Sequence, residues 1–289
     1  MTGDDGVRAQ RISVVINTLN EERRLPYALR SVREWVDEIV VVDMLSDDKT
    51  VEIAEAFGAR VFAHERLGYA DPARAFALAR ATGDWILILD ADELVPPRLA
   101  RRLRDVATTD EADVVDIPRL NYLLGEPLAW TGWGPSQDRH QRFFRRGWVE
   151  ATSDIHAYLH MREGARVLRL ASDDGLALVH FNYTDVAHFI EKLNRYTTIE
   201  AVGRAGSRRR VRRTRVIVAT IREFTTRFLR HKGYRDGWRG FYLAGLMAFY
   251  RFAVYAKEQE LTSTGTREDV ERLYEAEAER WLSDQSVDA

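Results

Sequence analysis

The feature that most constrains this chain is a regular alternation over its first hundred residues. Short apolar, β-branched runs at "RISVVINT" (11–18), "EIVVVD" (38–43), "ARVFAH" (59–64) and "WILILD" (85–90) read as strands. Between them, "NEERRLPYALRSVREW" (20–35), "KTVEIAEAF" (49–57) and "PARAFALARAT" (72–82) read as helices, with Gly58 suited to a C-terminal cap. A further helix is expected from Pro96 to Val106, with prolines in its first turn. Strands this continuously apolar are covered on both faces. Their alternation with helices implies an α/β class with a doubly wound, mostly parallel sheet. Ligands of such sheets bind beyond the carboxyl ends of the strands, where the strand order reverses. Thr18 and Asn20 follow the first strand, Asp43 ends the second, and Asp90 and Asp92 follow the fourth. Where these ends meet, they make one acidic, hydrogen-bonding crevice.

The fourth strand raises a specific question, because Asp90, Asp92 and Glu93 crowd its end. On an extended chain Asp90 and Asp92 point to the same side. Such a pair can hold Mg²⁺ together with substrate phosphates and neutralise a diphosphate leaving group. The plainer reading is an acidic loop that caps the next helix. Asp43 favours the ligand reading, since a carboxylate there can accept hydrogen bonds from a ribose or base. No Gly-x-Gly-x-x-Gly follows the first strand and no Gly-x-x-x-x-Gly-Lys loop is present. The phosphates then need another partner, and a metal fits.

"ISVVINTLNEE", "EIVVVDMLSDDKTVEIAEAFGARV", "ATGDWILILDADE" and "DGWRGFYLAGLMAFYRFAVYAK" resemble, in order, the family 2 glycosyltransferases of GT-A fold. The chain is most similar to the branch containing lipopolysaccharide-core β-glucosyltransferases, over roughly residues 11–258. The resemblance implies that Thr18, Asn20 and Glu22 line the nucleotide pocket and that Asp43 binds base or ribose. Arg74 stands where the family often has an Arg-Asn pair near the nucleotide. Asp90 would lie near ribose and diphosphate, and Asp92 would bind Mg²⁺ or Mn²⁺. The usual "DSGSTDKT" is here "DMLSDDKT", so Met44 and Leu45 replace small residues at the rim of the base pocket.

Inverting transfer needs a base for the acceptor hydroxyl. Asp138 is the candidate, standing four residues before "RFFR" where the related pattern is Asp before Arg-Leu-Phe-Arg; the alternative is that it only pairs with Arg139 or Arg142. Glu150 is the weaker competitor. Arg142 and Arg145 flank two phenylalanines, so an arginine can reach the diphosphate, or the strand face is merely solvated. His156 matches a family Val-His-Glu position without its Glu and is a candidate third metal ligand, against an ordinary hydrogen-bonded histidine. His180 reads as structural. Trp130 and Trp133, on the loop "EPLAWTGWGPSQ" (126–137), either stack on an acceptor sugar or staple the loop to the core.

The expected organisation is a disordered tail (1–10) and a catalytic domain (11–184). The latter has a nucleotide-sugar half (11–110) and an acceptor half (111–184). A helical region (185–260) and a charged helix with tail (261–289) follow. "SRRRVRRTR" (207–215) holds six arginines in nine residues, and "GWRGFYLAGLMAFYRFAVYAKEQ" (237–259) is apolar around much of its circumference. Together they point to an anionic membrane surface; a solvated face is the bland alternative. The formal net charge of -2 gives no basic field for nucleic acid. The absence of cysteine excludes disulfides and thiolate chemistry and suits a reducing cytoplasm. "MTGDDGVRAQ" lacks the apolar core of a signal peptide, and no apolar run reaches spanning length.

The expectation is a cytoplasmic enzyme, at most peripheral on the inner face of the plasma membrane. It moves a hexose-like sugar from a nucleotide-diphosphate donor, UDP-sugar favoured, with inversion and with Mg²⁺ or Mn²⁺. The acceptor is a hydroxyl of a glycan, a lipid-linked glycan or a small molecule, as in cell-envelope polysaccharide synthesis; the oligomeric state stays open. One alternative is a nucleotidyltransferase of similar fold, which usually carries a Gly-rich basic loop after the first strand; "NTLNEERR" is not that loop. The other alternative is a non-catalytic sugar-binding scaffold at the membrane, against which Asp90, Asp92 and Asp138 argue.

Overall fold

The computed structural model describes residues 10–66, 71–151, 159–205 and 212–284. The chain divides into two compact units, Met1–Thr184 and Asp185–Ala289.

In the first unit the expected alternation is realised as β1 (Ile12–Thr18), α1 (Leu25–Val32), β2 (Glu38–Asp43), α2 (Thr50–Ala56), β3 (Arg60–Ala63), α3 (Asp71–Leu78) and β4 (Trp85–Asp90). β5 (Glu93–Leu94) and α4 (Pro97–Thr109) follow. Gly58 caps α2 at φ +76°, its N–H donating to the Glu55 carbonyl at 2.9 Å. α1 is shorter than the apolar spacing suggested. Residues before Leu25 form a turn in which Asn20 takes φ +57°, because Asn tolerates the left-handed region. Strands β3, β2, β1 and β4 lie side by side and parallel, so the chain runs outward from β1 and returns on its other side at β4. That reversal is the switch point at which a crevice opens.

The middle of the chain extends the same sheet with β6 (Val114–Leu123), β7 (Glu126–Pro127), β8 (Arg139–Arg145), β11 (Val167–Arg169) and β12 (Leu178–Tyr183), while β9 (Val149–Ala151) and β10 (Leu159–Met161) pair antiparallel as a separate two-stranded sheet. β8 inserts antiparallel between β4 and β6, and β12 runs parallel to β6. Alternate residues of β1 enter opposite cores: Ile12, Val14 and Ile16 pack with α1 and α4, while Val15 packs with Val40, Val42, Ile86 and Ile88. Trp85 and Phe143 stack across the β4–β8 pair at 4.7 Å between centroids, both fully buried. Stacked aromatics of this kind fix register between non-local strands.

The second unit is helical: α5 (Val186–Ala205), α6 (Arg213–Thr225), α7 (Gly237–Ser263) and α8 (Arg267–Asp284). Asp185 opens α5 by accepting from the His188 N–H at 2.7 Å. α7 is apolar all round in sequence but not buried all round. Leu243, Ala244, Ala248 and Val254 are buried, while Trp238, Phe241, Tyr242, Phe249 and Phe252 remain about half exposed. Among the described residues, no helix is long and apolar enough to cross a membrane. Of the arginine run, residues 207–211 lie outside the described residues.

Candidate active site

Register brings the polar strand ends together. Thr18 pairs with Asp43 across β1 and β2, and Asn17 pairs with Asp90 across β1 and β4. Asp43 is buried; its Oδ1 accepts from the Thr18 hydroxyl at 3.0 Å, and its Oδ2 accepts from the Ser46 N–H at 2.8 Å. Asn20 and Glu22 bind the facing loop: Asn20 Oδ1 accepts from the Asp47 N–H at 2.8 Å, and Glu22 Oε2 accepts from the Lys49 N–H at 3.3 Å. These residues therefore shape two loops at the crevice edge. Met44 and Leu45 do not form a rim together. Met44 is a core residue, and only Leu45 projects, at φ +60° and 54% exposed. Arg66 holds that strained turn by donating to the Leu45 carbonyl (3.1 Å from Nε) and to Asp47 (2.6 Å).

The chain is not extended between Asp90 and Asp92, which corrects the same-side argument. The Glu93 carboxylate accepts from the Asp90 N–H at 3.0 Å, and β4 breaks into a turn at Ala91–Asp92. Asp90 faces Arg74 (3.0 Å) and Arg142 (2.8 Å), whereas Asp92 faces His180 at 3.5 Å. Much of the negative charge at the strand end is thus met by arginine. Glu93, with a fully buried side chain, lies 3.4 Å from Arg119 and 3.6 Å from Arg142. Burial alone would raise the pKa of Asp90, but the charges of Arg142 and Arg74 overcome it and hold the carboxyl well below its ordinary range. Arg142 is itself buried and turned onto these two carboxylates.

Three residues that the sequence reading passed over connect this cluster to Asp138. Asn121, buried on β6, donates from Nδ2 to the Trp133 carbonyl (2.8 Å) and to Asp138 Oδ2 (2.6 Å). Those two acceptors orient the amide, so Oδ1 must be what meets His180 Nδ1 at 2.6 Å. His180 Nδ1 then carries the proton, and its Nε2 presents a lone pair towards Asp92 when the ring is neutral. Arg119 Nε donates to Asp138 Oδ2 at 2.9 Å, and His140 Nε2 meets Asp138 Oδ1 at 2.9 Å. Burial would raise the Asp138 pKa, but the His140 hydrogen bond and the Arg119 charge hold it far below the ordinary carboxylate range. Burial, then Arg119 and Arg142, push the His140 pKa down against the hydrogen bond to Asp138.

Asp92 Oδ2 and His180 Nε2, 3.5 Å apart, are placed so that a carboxylate and an imidazole nitrogen could hold a divalent cation that would take its remaining ligands from substrate phosphate and water. Among the described residues there is no cluster of three or more metal-ligating side chains. His156 lies outside the described residues, and so does the side chain of Glu150. Trp133 stacks on Tyr183 at 6.0 Å, and its carbonyl is held by Asn121, so the tryptophan loop is stapled to β6 and β12. Trp130 accepts from the Gly134 N–H at 3.0 Å. A Cβ on Gly134 would come within 1.9 Å of the Ala129 carbonyl oxygen, so only glycine closes this loop. Beside Asp138 opens a cleft of about 580 Å³, lined among the described residues by His140, Gln137, Gln141, Asp116 and four arginines (Arg74, Arg139, Arg142, Arg169).

Comparison with known proteins bears on this geometry. The family model "Glycosyl transferase family 2" matches residues 13–169. The chain is 28% identical over 268 residues to the lipopolysaccharide core biosynthesis glycosyltransferase LpsC of Rhizobium meliloti, covering 90% of this chain and 96% of that one. It is 26% identical over 263 residues to an uncharacterized glycosyltransferase of Rickettsia typhi, covering 88% of each. A solved structure of glucosyl-3-phosphoglycerate synthase from Mycobacterium tuberculosis, in complex with Mn²⁺, UDP and glucosyl-3-phosphoglycerate, is 29% identical over 39% of this chain and 44% of its own, with a TM-score of 0.33. A likeness that local adds nothing to the family match. The parallel β3-β2-β1-β4 core, the antiparallel β8 insertion and the helical C-terminal region agree with a GT-A fold. The chain belongs to glycosyltransferase family 2 and is a glycosyltransferase.

Proposed function

We propose that the protein transfers a hexose-like sugar, with inversion and with a divalent cation, from a nucleotide-diphosphate donor to a hydroxyl of a glycan, a lipid-linked glycan or a small molecule. The observation that carries this reading is the continuous chain Asp92–His180–Asn121–Asp138–His140, which joins a cation-fitting pair to the cleft wall by contacts of 3.5, 2.6, 2.6 and 2.9 Å. UDP is the favoured nucleotide, with Thr18, Asp43 and the Asn20–Glu22 loop framing the nucleoside. Mg²⁺ or Mn²⁺ would be held by Asp92 and His180 and would supply charge neutralisation at the diphosphate. Arg74 and Arg142 fix the Asp90 carboxylate beside it.

The acceptor oxygen bonds to the anomeric carbon as the bond to the diphosphate breaks, and the bonding electrons leave with the phosphate. The hydroxyl proton goes to the Asp138–His140 pair. Asp138 alone is a weak base, because Arg119, Asn121 and His140 occupy both its oxygens and depress its pKa. His140 is the better acceptor: Asp138 takes its Nε2–H, and the ring lines the cleft with Nδ1 unprotonated. Trp130 and Trp133 keep the loop over the acceptor side closed.

Mn²⁺ titrated calorimetrically into protein saturated with UDP tests the ligand assignment. His180→Ala should weaken Mn²⁺ binding by at least about tenfold, while metal-free UDP binding changes little. Unchanged Mn²⁺ affinity would remove His180 from the metal site.

A further inference from the structure

The second unit carries a surface to which none of the site residues described above belongs. α6 ends in a π-helical turn, Thr226–Arg230, and a tight turn at Gly233–Asp236 then launches α7. The tip is rigidly shaped: Lys232 sits at φ +57°, and a Cβ on Gly240 would come within 1.9 Å of the Gly233 carbonyl oxygen. Six rings on this tip form one continuous cluster. Phe224, Phe228, Tyr234, Trp238, Phe241 and Tyr242 have neighbouring centroids 5.5 to 6.3 Å apart. The cluster is open to solvent. Tyr234, Trp238, Phe241 and Tyr242 are between 49% and 57% exposed, and Leu229 is 58% exposed. Contiguous exposed apolar surface of this kind marks an interaction site.

Its charge identifies the partner. Residues 222–239 hold Arg222, Arg227, Arg230, Lys232, Arg235 and Arg239 against only Glu223 and Asp236, in a chain whose formal net charge is -2. Arg230, Lys232 and Arg235 are exposed, and Arg239 lies over the Trp238 ring at 4.7 Å. We propose that this tip docks on an anionic lipid bilayer, its tryptophan and tyrosines entering the headgroup layer while the arginines and lysine engage lipid phosphates. Trp and Tyr are the side chains suited to that boundary, and basic residues beside them add attraction to anionic leaflets. A protein-binding patch would instead have a core depleted of charge. A nucleic-acid platform would offer free ring faces, whereas these rings pack on one another. The surface differs from the arginine run at 207–215, and the proposal is independent of the donor chemistry.

The test is cosedimentation of the full chain with vesicles of phosphatidylcholine alone and of phosphatidylcholine with phosphatidylglycerol, at low and high salt. The expected result is salt-sensitive binding to the anionic vesicles and none to the neutral ones. Arg230→Ala/Arg235→Ala should lower partitioning by about tenfold or more, and Trp238→Ala/Tyr242→Ala should lower it comparably. Arg267→Ala/Arg272→Ala on α8 should leave it unchanged, with circular dichroism confirming that all variants fold. Absence of binding to anionic vesicles, or binding retained in both tip variants, would overturn the proposal. So would concentration-dependent self-association that Trp238→Ala abolishes, because the tip would then be a contact between copies.

Discussion

Replacing Glu93 by glutamine isolates the charge balance on which the active site rests. The side chain is fully buried, 3.4 Å from Arg119 and 3.6 Å from Arg142, and its carboxylate accepts the Asp90 N–H. Glutamine keeps the shape and one acceptor oxygen but removes the charge. At an effective dielectric of 20, each arginine contact is worth about 5 kcal/mol of Coulomb attraction before desolvation is subtracted. Removing one member of a buried ion pair typically costs about 3–5 kcal/mol, because the other is left uncompensated. The retained oxygen and the remaining partners, Asp90 for Arg142 and Asp138 for Arg119, place the expected loss near the lower end, about 3 kcal/mol. Urea unfolding followed by tryptophan fluorescence should show the midpoint falling by about 1 M, for a slope of about 3 kcal/mol/M. The double variant Glu93→Gln/Arg119→Met should lose less than the sum of the singles, since each removes the other's unpaired charge. A loss under about 1 kcal/mol, with additive singles, would refute the idea that arginines compensate the acidic strand end.

Three further outcomes follow from the geometry. His140 has a folded pKa below its ordinary value, so the unfolded chain binds the extra proton first. Its contribution to stability is full above about pH 6.5 and is lost as pH falls towards the folded pKa; urea midpoints across that window should flatten in His140→Gln. Asp138, also depressed, acts in a separate window. Its contribution is full above about pH 3.9 and is lost in more acid solution, which Asp138→Asn should abolish. Leu45→Gly should relieve the left-handed turn and raise stability by up to about 1 kcal/mol, the strain relieved exceeding the added unfolded-state entropy. A lower melting temperature would show that the exposed leucine packs usefully at the crevice edge.

The parallel core was legible because β1, β2 and β4 are nearly unbroken apolar runs buried on both faces. Thr18, Asp43 and Asp90 were legible for the same reason, as strand ends that parallel pairing must align. The period-of-two rule failed at Asp90 and Asp92 because Glu93 folds back on the Asp90 N–H and ends the strand. The same rule, applied to "RLNYL", places Arg119 and Asn121 on one face of β6, and applied to "DRHQR" it groups Asp138, His140 and Arg142. That signal was present and unused. What the sequence does not carry is the insertion of β8 between β4 and β6. The β4–β8 pairing joins residues 56 to 60 positions apart and sets Arg142 against Asp90. The contact of His180 with Asn121 on another strand was likewise beyond reach of the local sequence.

The most direct measurement is nucleotide release from a panel of UDP-, GDP- and dTDP-sugars with Mn²⁺ or Mg²⁺, run beside Asp92→Asn. Parallel calorimetry of nucleotide binding covers the case in which hydrolysis needs an acceptor. The expected result is metal-dependent binding of one nucleotide, release from its sugar conjugate, and loss of both in Asp92→Asn. Nucleotide binding and release that proceed equally without metal, or survive Asp92→Asn unchanged, would contradict it.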